Sequence, residues 1–505
     1  MRDLEKTLRN LSKDLLRSKE NLYSHIKSHN SSVHIYTHID TDGLCSGAIL
    51  GKALYREKIP FQISILKQLE KEEIVKIEKS YREFHNFLIF SDFGSGQYQD
   101  LQKTLKINED NGSMIILDHH LPQSVANKEK VDQIEDIYRK TRLWHVNPYF
   151  YGADGSYEIS GAGISYYFAK ALNVKNIDLS AIAIVGAIGD IQNQGANKSF
   201  IGLNSAILED AKKAGQIEVI DDLNFSSIKP LDQAIAYSSD IKLPGLNKDV
   251  NKSLKFLQTL GILMEKSDGS TKTLNDLNQD EKQKITSAII EYGTIKLDIE
   301  PIEIIKKLIV NKYILKSEQK ESELRDSNEF SSLLNACGRT NNGSLGIAIA
   351  MGDRKDSYEK AKEALQNYKK SLIEGLNWLK DEKKIRQKEH IQYFYGEDYI
   401  SETIVGVIAS MLVLDESPYI DINKPIFGYA HRKNKDVYKI SARAHESIVK
   451  KGINLSEAIR KALELIGLNN LGGGHPPAAG TKIPKNKIEL FIETVNEVIS
   501  KQLNN

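Results

Sequence analysis

Cysteine is nearly missing from this sequence: Cys45 and Cys337 are the two among 505 residues. Two thiols cannot frame a disulfide scaffold in a chain this long, so a reducing, cytoplasmic setting is expected. An excess of either charge is missing too. Lys+Arg number 69 against Asp+Glu 68, a formal net charge of +1 that excludes a globally basic nucleic-acid coat. A polyanion must then be held by a local patch or by metal. Long apolar runs are also lacking, since the longest, Ala181 to Gly189, is about half of what a membrane span needs. Charges recur every few positions near the start, which leaves no apolar signal-peptide core there. No internal repeat or low-complexity tract is present. What remains reads as a soluble protein of about three domains.

Residues 1–30 carry Leu4, Leu8, Leu11, Leu15 and Leu22 among charged neighbours, the stripe of an amphipathic helix. Packing on its own domain explains that stripe better than a coiled-coil partner does. From residue 33 the rhythm changes. Short β-rich runs at Val33–His38, Gln62–Leu66, Phe87–Ser91, Ser113–Leu117 and Ile182–Ile188 alternate with helical stretches such as Ser46–Lys58 and Lys67–Lys79. That alternation predicts an α/β domain over 31–214, a parallel sheet covered on both faces. Residues 215–325 are rich in Lys, Asp and Asn, with helical periodicity around Leu254–Met264 and Glu281–Tyr292. They predict a helical insertion suited to partner docking. Residues 326–505 resume an α/β pattern that includes a long charged helix over 357–390.

Chemistry concentrates where apolar runs end. THIDTDG supplies His38, Asp40 and Asp42; an extended chain would put alternate residues on one face at the carboxyl end of a strand. That end is where open α/β sheets bind ligands. FLIFSDFGSG ends at Asp92, MIILDHH at Asp118, His119 and His120, and AIAIVGAIGD at Asp190. One aspartate after an apolar run is usually a helix N-cap. Four runs delivering carboxylate or imidazole at the same end point instead to a metal site. Asp40, Asp42, Asp92 and Asp190 would repel one another in a shared pocket, and two divalent cations balance four carboxylates. Mixed oxygen and nitrogen ligands suit Mn²⁺, with Mg²⁺ second. Two such ions about 3.5–4 Å apart can activate water and clamp a phosphoryl group. Cys45 is expected to be a small buried hydrophobe rather than a ligand.

HxDxDG, the post-strand Asp, DHH, GxxGD and the distal GGGHPPAAG together resemble the DHH phosphoesterases, and among them the archaeal RecJ-like single-strand exonucleases. The likeness covers about residues 33–195 and 326–500. It implies a parallel-sheet DHH metal domain plus a C-terminal α/β DHH-associated domain that closes a cleft and grips the phosphate chain. By position, it implies that His38 and Asp40 bind one metal, Asp42, His119 and Asp190 the other, and Asp92 bridges them. Asp118 would orient the neighbouring histidines, and His120 would face the scissile phosphate. Gly472, Gly473, Gly474 and His475 would cradle a substrate phosphate. Arg443 in SARAH would be a second clamp, with Arg339 and Asn147 as weaker additions.

The resemblance also implies a 5′→3′ exonuclease on single-stranded DNA or RNA, in DNA replication and repair. Alternatives are a short-oligonucleotide or cyclic-dinucleotide phosphodiesterase, and a replisome scaffold associated with GINS or replicative helicase components. Basic runs at Lys383–Lys388 and His431–Lys435 could touch a nucleic-acid backbone. No aromatic-interleaved basic stripe stands out in the sequence, so base stacking cannot be located from it.

Overall fold

The computed structural model describes residues 4–106, 114–122, 143–238, 243, 246–414, 417–432, 436–468 and 472–503. Ser113 and residues 433–435, which end two of the expected segments, lie outside the described residues. The chain divides into two compact units, 1–362 and 363–505.

The first unit is built on five parallel strands: β1 (Val33–His38), β2 (Phe61–Leu66), β3 (Phe87–Ser91), β4 (Met114–Leu117) and β5 (Leu143–Val146). Their spatial order is β2-β1-β3-β4-β5. The apolar residues of β1, β3 and β4 are buried on both faces, as a sheet sandwiched between helices requires. One face packs Tyr36, Phe90 and Ile116 against Ile74, Ile77 and Tyr81 of the helix Lys71–Phe84 and Leu101 of the helix Tyr98–Leu105. The opposite face is closed by the helices Thr41–Arg56 and Gly161–Leu172. Chain order reverses between β1 and β3, the switch point at which doubly wound sheets open a crevice.

The amino-terminal helix Leu4–His29 buries Leu11, Leu15 and Leu22 and lies along the helix Gly161–Leu172, so its stripe serves its own unit. Ile182–Ile188, expected as a strand, is helical: Ser180–Gly189 is an α-helix whose face is buried throughout. Apolar periodicity cannot separate a buried helix from a buried strand over so short a run. The insertion is helical, but it is clipped to the unit by an antiparallel pair, β6 (Ile217–Leu223) and β7 (Ile309–Leu315). Between these strands Leu231, Ile235, Leu257, Ile285 and Ile289 form a separate apolar core.

The boundary expected at 326 moves to the 362/363 division. The helices Ser327–Arg339 and Gly343–Met351 pack on Thr41–Arg56 and so belong to the first unit. The long helix ends at Asp381 rather than 390, where the chain turns into strand.

The second unit carries a six-stranded sheet in the order β12-β13-β11-β10-β9-β8. These strands are β8 (Arg386–Gln387), β9 (Gln392–Tyr395), β10 (Ile426–His431), β11 (Val437–Arg443), β12 (Gly473–His475) and β13 (Ala478–Pro484). All neighbours are antiparallel except β9 and β10. The helices Leu455–Leu465 and Ile488–Leu503 bury Phe427, Ile440 and Ala442 on one face. Among the described residues, no helix is long and apolar enough to cross a membrane.

Candidate metal centre

The HIDTD segment does not run on as extended chain. His38 closes β1, Asp40 caps the next helix by accepting from the Gly43 N–H at 3.0 Å, and Asp42 sits in that helix's first turn. The convergence expected of alternating strand residues is therefore made by a strand end and a helix start. Asp92 follows β3 with φ +62°, a left-handed conformation that costs energy in a residue bearing a side chain. Its N–H is held by the Leu117 carbonyl at 2.9 Å, which ties it to the end of β4. Asp190 caps the carboxyl end of the helix Ser180–Gly189. Thus three strand ends and one helix end deliver the groups.

Of three sets of side chains close enough to share an ion among the described residues, one joins Asp118 and His120 to Asp92 and His119; the other two are His38, Asp40 and Asp92, and Asp42, His119 and Asp190. His38 Nδ1 lies 2.7 Å from Asp40 Oδ2 and 3.6 Å from Asp92 Oδ2. His119 Nε2 lies 3.2 Å from Asp92 Oδ1 and 3.7 Å from Asp42 Oδ2, so Asp92 reaches both sets. The tautomer of His119 follows from its neighbour. Its Nδ1–H donates to the Gly155 carbonyl at 2.7 Å, which turns the Nε2 lone pair toward the carboxylates.

Both Asp92 oxygens and His119 Nε2 are buried and form no hydrogen bond, and His38 Nδ1, buried too, meets the carboxylates of Asp40 and Asp92. An unpartnered buried carboxylate is costly, and one facing other carboxylates more so. Burial and then Asp92 push Asp42 well above the ordinary carboxylate range. Asp190 is raised as well, by burial, Asp92 and Asp40 against the opposing His119. Bound divalent cations relieve each of these costs, so the residues fit the metal that their chemistry implies.

Asp42 is aimed by the start of the helix Gly161–Leu172. The N–H groups of Gly161 and Ala162 donate to its two oxygens at 2.6 and 3.0 Å, a carboxylate on a helix N-terminus. A Cβ on Gly161 would stand 2.7 Å from Asp92 Oδ1 and 3.0 Å from Asp42 Oδ2, so only glycine fits there. Gly338 is the second such position. A Cβ there would lie 1.7 Å from the Ile39 carbonyl oxygen, between two ligands. Arg339 follows Gly338 and is half-buried, its Nε 3.4 Å from Asn335 Oδ1.

Asp118 accepts from His120 Nδ1 at 2.8 Å and from the Ser95 N–H at 2.8 Å. These donors and His120 hold it below the usual carboxylate range despite burial. The His120 side chain is 56% exposed, so its other nitrogen faces outward. Asn147, expected to meet substrate phosphate, is fully buried. Its amide N–H groups go to Ser95 Oγ and the His120 carbonyl at 2.9 and 2.8 Å, and its oxygen accepts from the Tyr149 N–H. It braces the DHH loop instead.

Cys45 is buried beside the site, and its thiol is pushed well up by burial and Asp42, as befits a packing residue. Three positions escaped the motif reading: Ser95, Gln192 and Gly338. Gln192 is buried and donates to Asp190 Oδ2 and the Gly155 carbonyl, both at 2.8 Å. Ser95, in the glycine-flanked turn just after Asp92, had a local signal. Gln192 stands two residues after Asp190, but the Gly155 carbonyl it also holds is distant in sequence, and the Ile39 carbonyl beside Gly338 is more distant still.

In the second unit, Arg443, Ala478 and His475 are in register across three strands, so Arg443 and His475 share a face. Arg443 is steadied by Ser410 Oγ and the Ala442 carbonyl at 2.7 and 2.8 Å. Gly473, Gly474 and His475 are exposed and form an edge strand.

Residues 32–189 match the DHH family N-terminal domain, 226–309 the DHH-CID domain and 390–501 the DHHA1 domain. An uncharacterized protein of Methanocaldococcus jannaschii is 33% identical over 480 residues, 95% of each chain. Among solved structures, CDC45 from Entamoeba histolytica is 13% identical with a TM-score of 0.60, over 96% of this chain and 99% of that one. RecJ from Thermus thermophilus in complex with Mn²⁺ is 16% identical with a TM-score of 0.54, over 97% of this chain and 55% of that RecJ, about half its length. The chain belongs to the DHH superfamily and has a RecJ-like fold.

Proposed function

We propose that this chain is a metal-dependent phosphodiester hydrolase acting on single-stranded nucleic acid, as an exonuclease of replication or repair that releases mononucleotides in the 5′→3′ direction. The observation that carries this reading is the buried cluster in which Asp92 and the histidines His38 and His119 face one another, both Asp92 oxygens and His119 Nε2 forming no hydrogen bond. His38 and Asp40 would hold one cation and Asp42, His119 and Asp190 the other, with Asp92 shared and Mn²⁺ favoured over Mg²⁺. Bound there, the cations would acidify a water and stabilise charge on the phosphoryl oxygens.

The side chains contribute the rest. Asp118 accepts a hydrogen bond from His120 Nδ1–H and favours the charged ring, so that the imidazolium would donate from Nε2 to a phosphoryl oxygen. The Gly161–Leu172 helix start orients Asp42 and offsets part of the cost of its charge. On the second unit Arg443 and His475, with the Gly472–Gly474 backbone, would hold substrate phosphates, and Arg339 would add a clamp beside Asp40.

A scaffold reading is favoured by the fold likeness to CDC45 over nearly all of that protein's length. In it, the chain would associate with GINS or replicative helicase components. The retained ligand set argues for hydrolysis, alone or beside scaffolding. End-labelled single-stranded DNA and RNA, incubated with Mn²⁺, Mg²⁺ or chelator, test the proposal. Metal-dependent mononucleotide release is expected, and its absence overturns the nuclease reading. Release from dinucleotides and cyclic dinucleotides alone would favour the short-substrate alternative.

A further inference from the structure

The sheet of the second unit gathers on one face what the sequence leaves scattered. Register places Arg386 opposite Tyr393, Tyr395 beside Tyr429, and His431 opposite Tyr438. Side chains alternate along a strand, so all six project from the same face. On that face Phe427, Ile440 and Ala442 lie under the two carboxyl-terminal helices, and Tyr393 and Tyr429, beside Phe427 and opposite Ile440, pack at the margin of that core. The four tyrosines and His431 are half-buried. Tyr395 and Tyr429 are parallel, with centroids 5.0 Å apart and planes 14° off. Tyr438 meets them edge-on at 5.2 and 5.3 Å, and His431 lies 6.1 Å from Tyr438.

These rings take no part in the metal chemistry. A core has no need of tyrosine hydroxyls at a half-exposed edge, whereas aromatic faces beside a cation suit unpaired bases and their phosphates. Arg386 is exposed and, among the described residues, makes no ion pair. Asp398 and Glu489 lie close enough to raise the neighbouring phenols, so the patch is not strongly cationic. Burial first, and then the adjoining tyrosines, push Tyr395 and Tyr429 up to about 12.

We propose that Tyr393, Tyr395, Tyr429, Tyr438 and His431 form a stacking platform for unpaired nucleobases, with Arg386 contacting the backbone. The proposal rests on the nucleic-acid reading above and assigns base contact to the second unit. Recognition here is led by stacking, so affinity depends on the presence of bases more than on salt.

The test uses the full chain in chelator, where no hydrolysis occurs, with fluorescent twelve-nucleotide oligo(dT) and an abasic strand of equal length. Wild type is expected to bind oligo(dT) more tightly than the abasic strand. Tyr395→Ala with Tyr438→Ala should lose at least about fivefold for oligo(dT), the low end for one base–aromatic stack, and nothing for the abasic strand. Tyr395→Phe with Tyr438→Phe should bind as wild type. Arg386→Ala should lower the salt slope by about one.

Photocrosslinking of 5-iodouridine strands to wild type supplies a readout that does not depend on variant folding, with adducts expected on these tyrosines. Equal affinity for the two strands, or adducts confined elsewhere, overturns the platform; so does a correctly folded alanine variant that binds oligo(dT) as wild type does. Mn²⁺-dependent hydrolysis of bis(p-nitrophenyl) phosphate, which carries no nucleobase, separates the two proposals. If it persists without base-dependent binding, the platform alone fails. If base-dependent binding persists without any hydrolysis, the catalytic reading alone fails.

Discussion

The two sheets of this chain handle polar groups in opposite ways. In the first unit Asp42 and Asp92 are each 2% exposed, held among carboxylates and imidazoles at the ends of β1, β3 and β4. In the second, His475 and Gly473 are exposed on an edge strand, and Arg443 leans on a serine and a carbonyl of its own unit. Buried charge is costly when left unpaired, so the first arrangement is suited to holding cations. Exposed donors exchange protein for water at little cost, so the proposed phosphate contacts of the second would form and break readily. The contrast separates a centre that must be assembled to exist from a surface that tunes affinity.

The sharpest way to break that contrast is Asp92→Ala. It removes the carboxylate that reaches both sets of ligands, and turnover on oligonucleotide and on bis(p-nitrophenyl) phosphate should fall by roughly 10²–10³-fold or more. Near-normal turnover would show that the buried cluster is not the catalytic centre. Gly338→Ala comes next. The new methyl must displace the Ile39 carbonyl, and apparent Mn²⁺ affinity, measured by titration of activity, should weaken by about 10–100-fold. An unchanged titration would mean that the ligand loop yields freely.

His475→Ala should do far less. We expect about 3- to 10-fold in KM for single-stranded substrate, with kcat on the small chromogenic ester unchanged. A large loss on the small ester would join the two sites and erase the distinction.

The smallest effect compares two histidines of one strand. His38 faces carboxylates, whereas His34 is buried against Ser64 and Tyr36, and burial lowers it to about 4 from 6.5. Below pH 6.5 the unfolded chain takes up a proton there that the native chain refuses until about pH 4. Stability therefore falls as pH falls through that window, by up to about 3 kcal/mol. Thermal melts from pH 7 to 4 should show the loss, and His34→Gln should flatten its share of it; an identical slope in the variant would assign the window to other groups.

Much of the metal centre was legible because its ligands come in short motifs, HxDxD and DHH, whose members are neighbours in the chain. The strand-end aspartates could be paired with them because apolar runs mark parallel strands. The misreadings have local causes. Ile182–Ile188 is as apolar as a strand, and burial all round conceals its period. Asn147 lies beside strand residues, but only the fold shows that Ser95 and His120 occupy its amide.

From its residues alone, this chain determined that carboxylates and imidazoles would follow apolar strands, that its charge would be balanced, and that glycines and a histidine would lie near its end. Tertiary structure alone decided which of those groups meet, how the start of one helix aims Asp42, and that four tyrosines from three strands share a face. The reason is geometric. Covalent neighbours constrain one another within a few residues, whereas register, helix approach and burial are set by packing between segments that the sequence separates by a hundred positions or more.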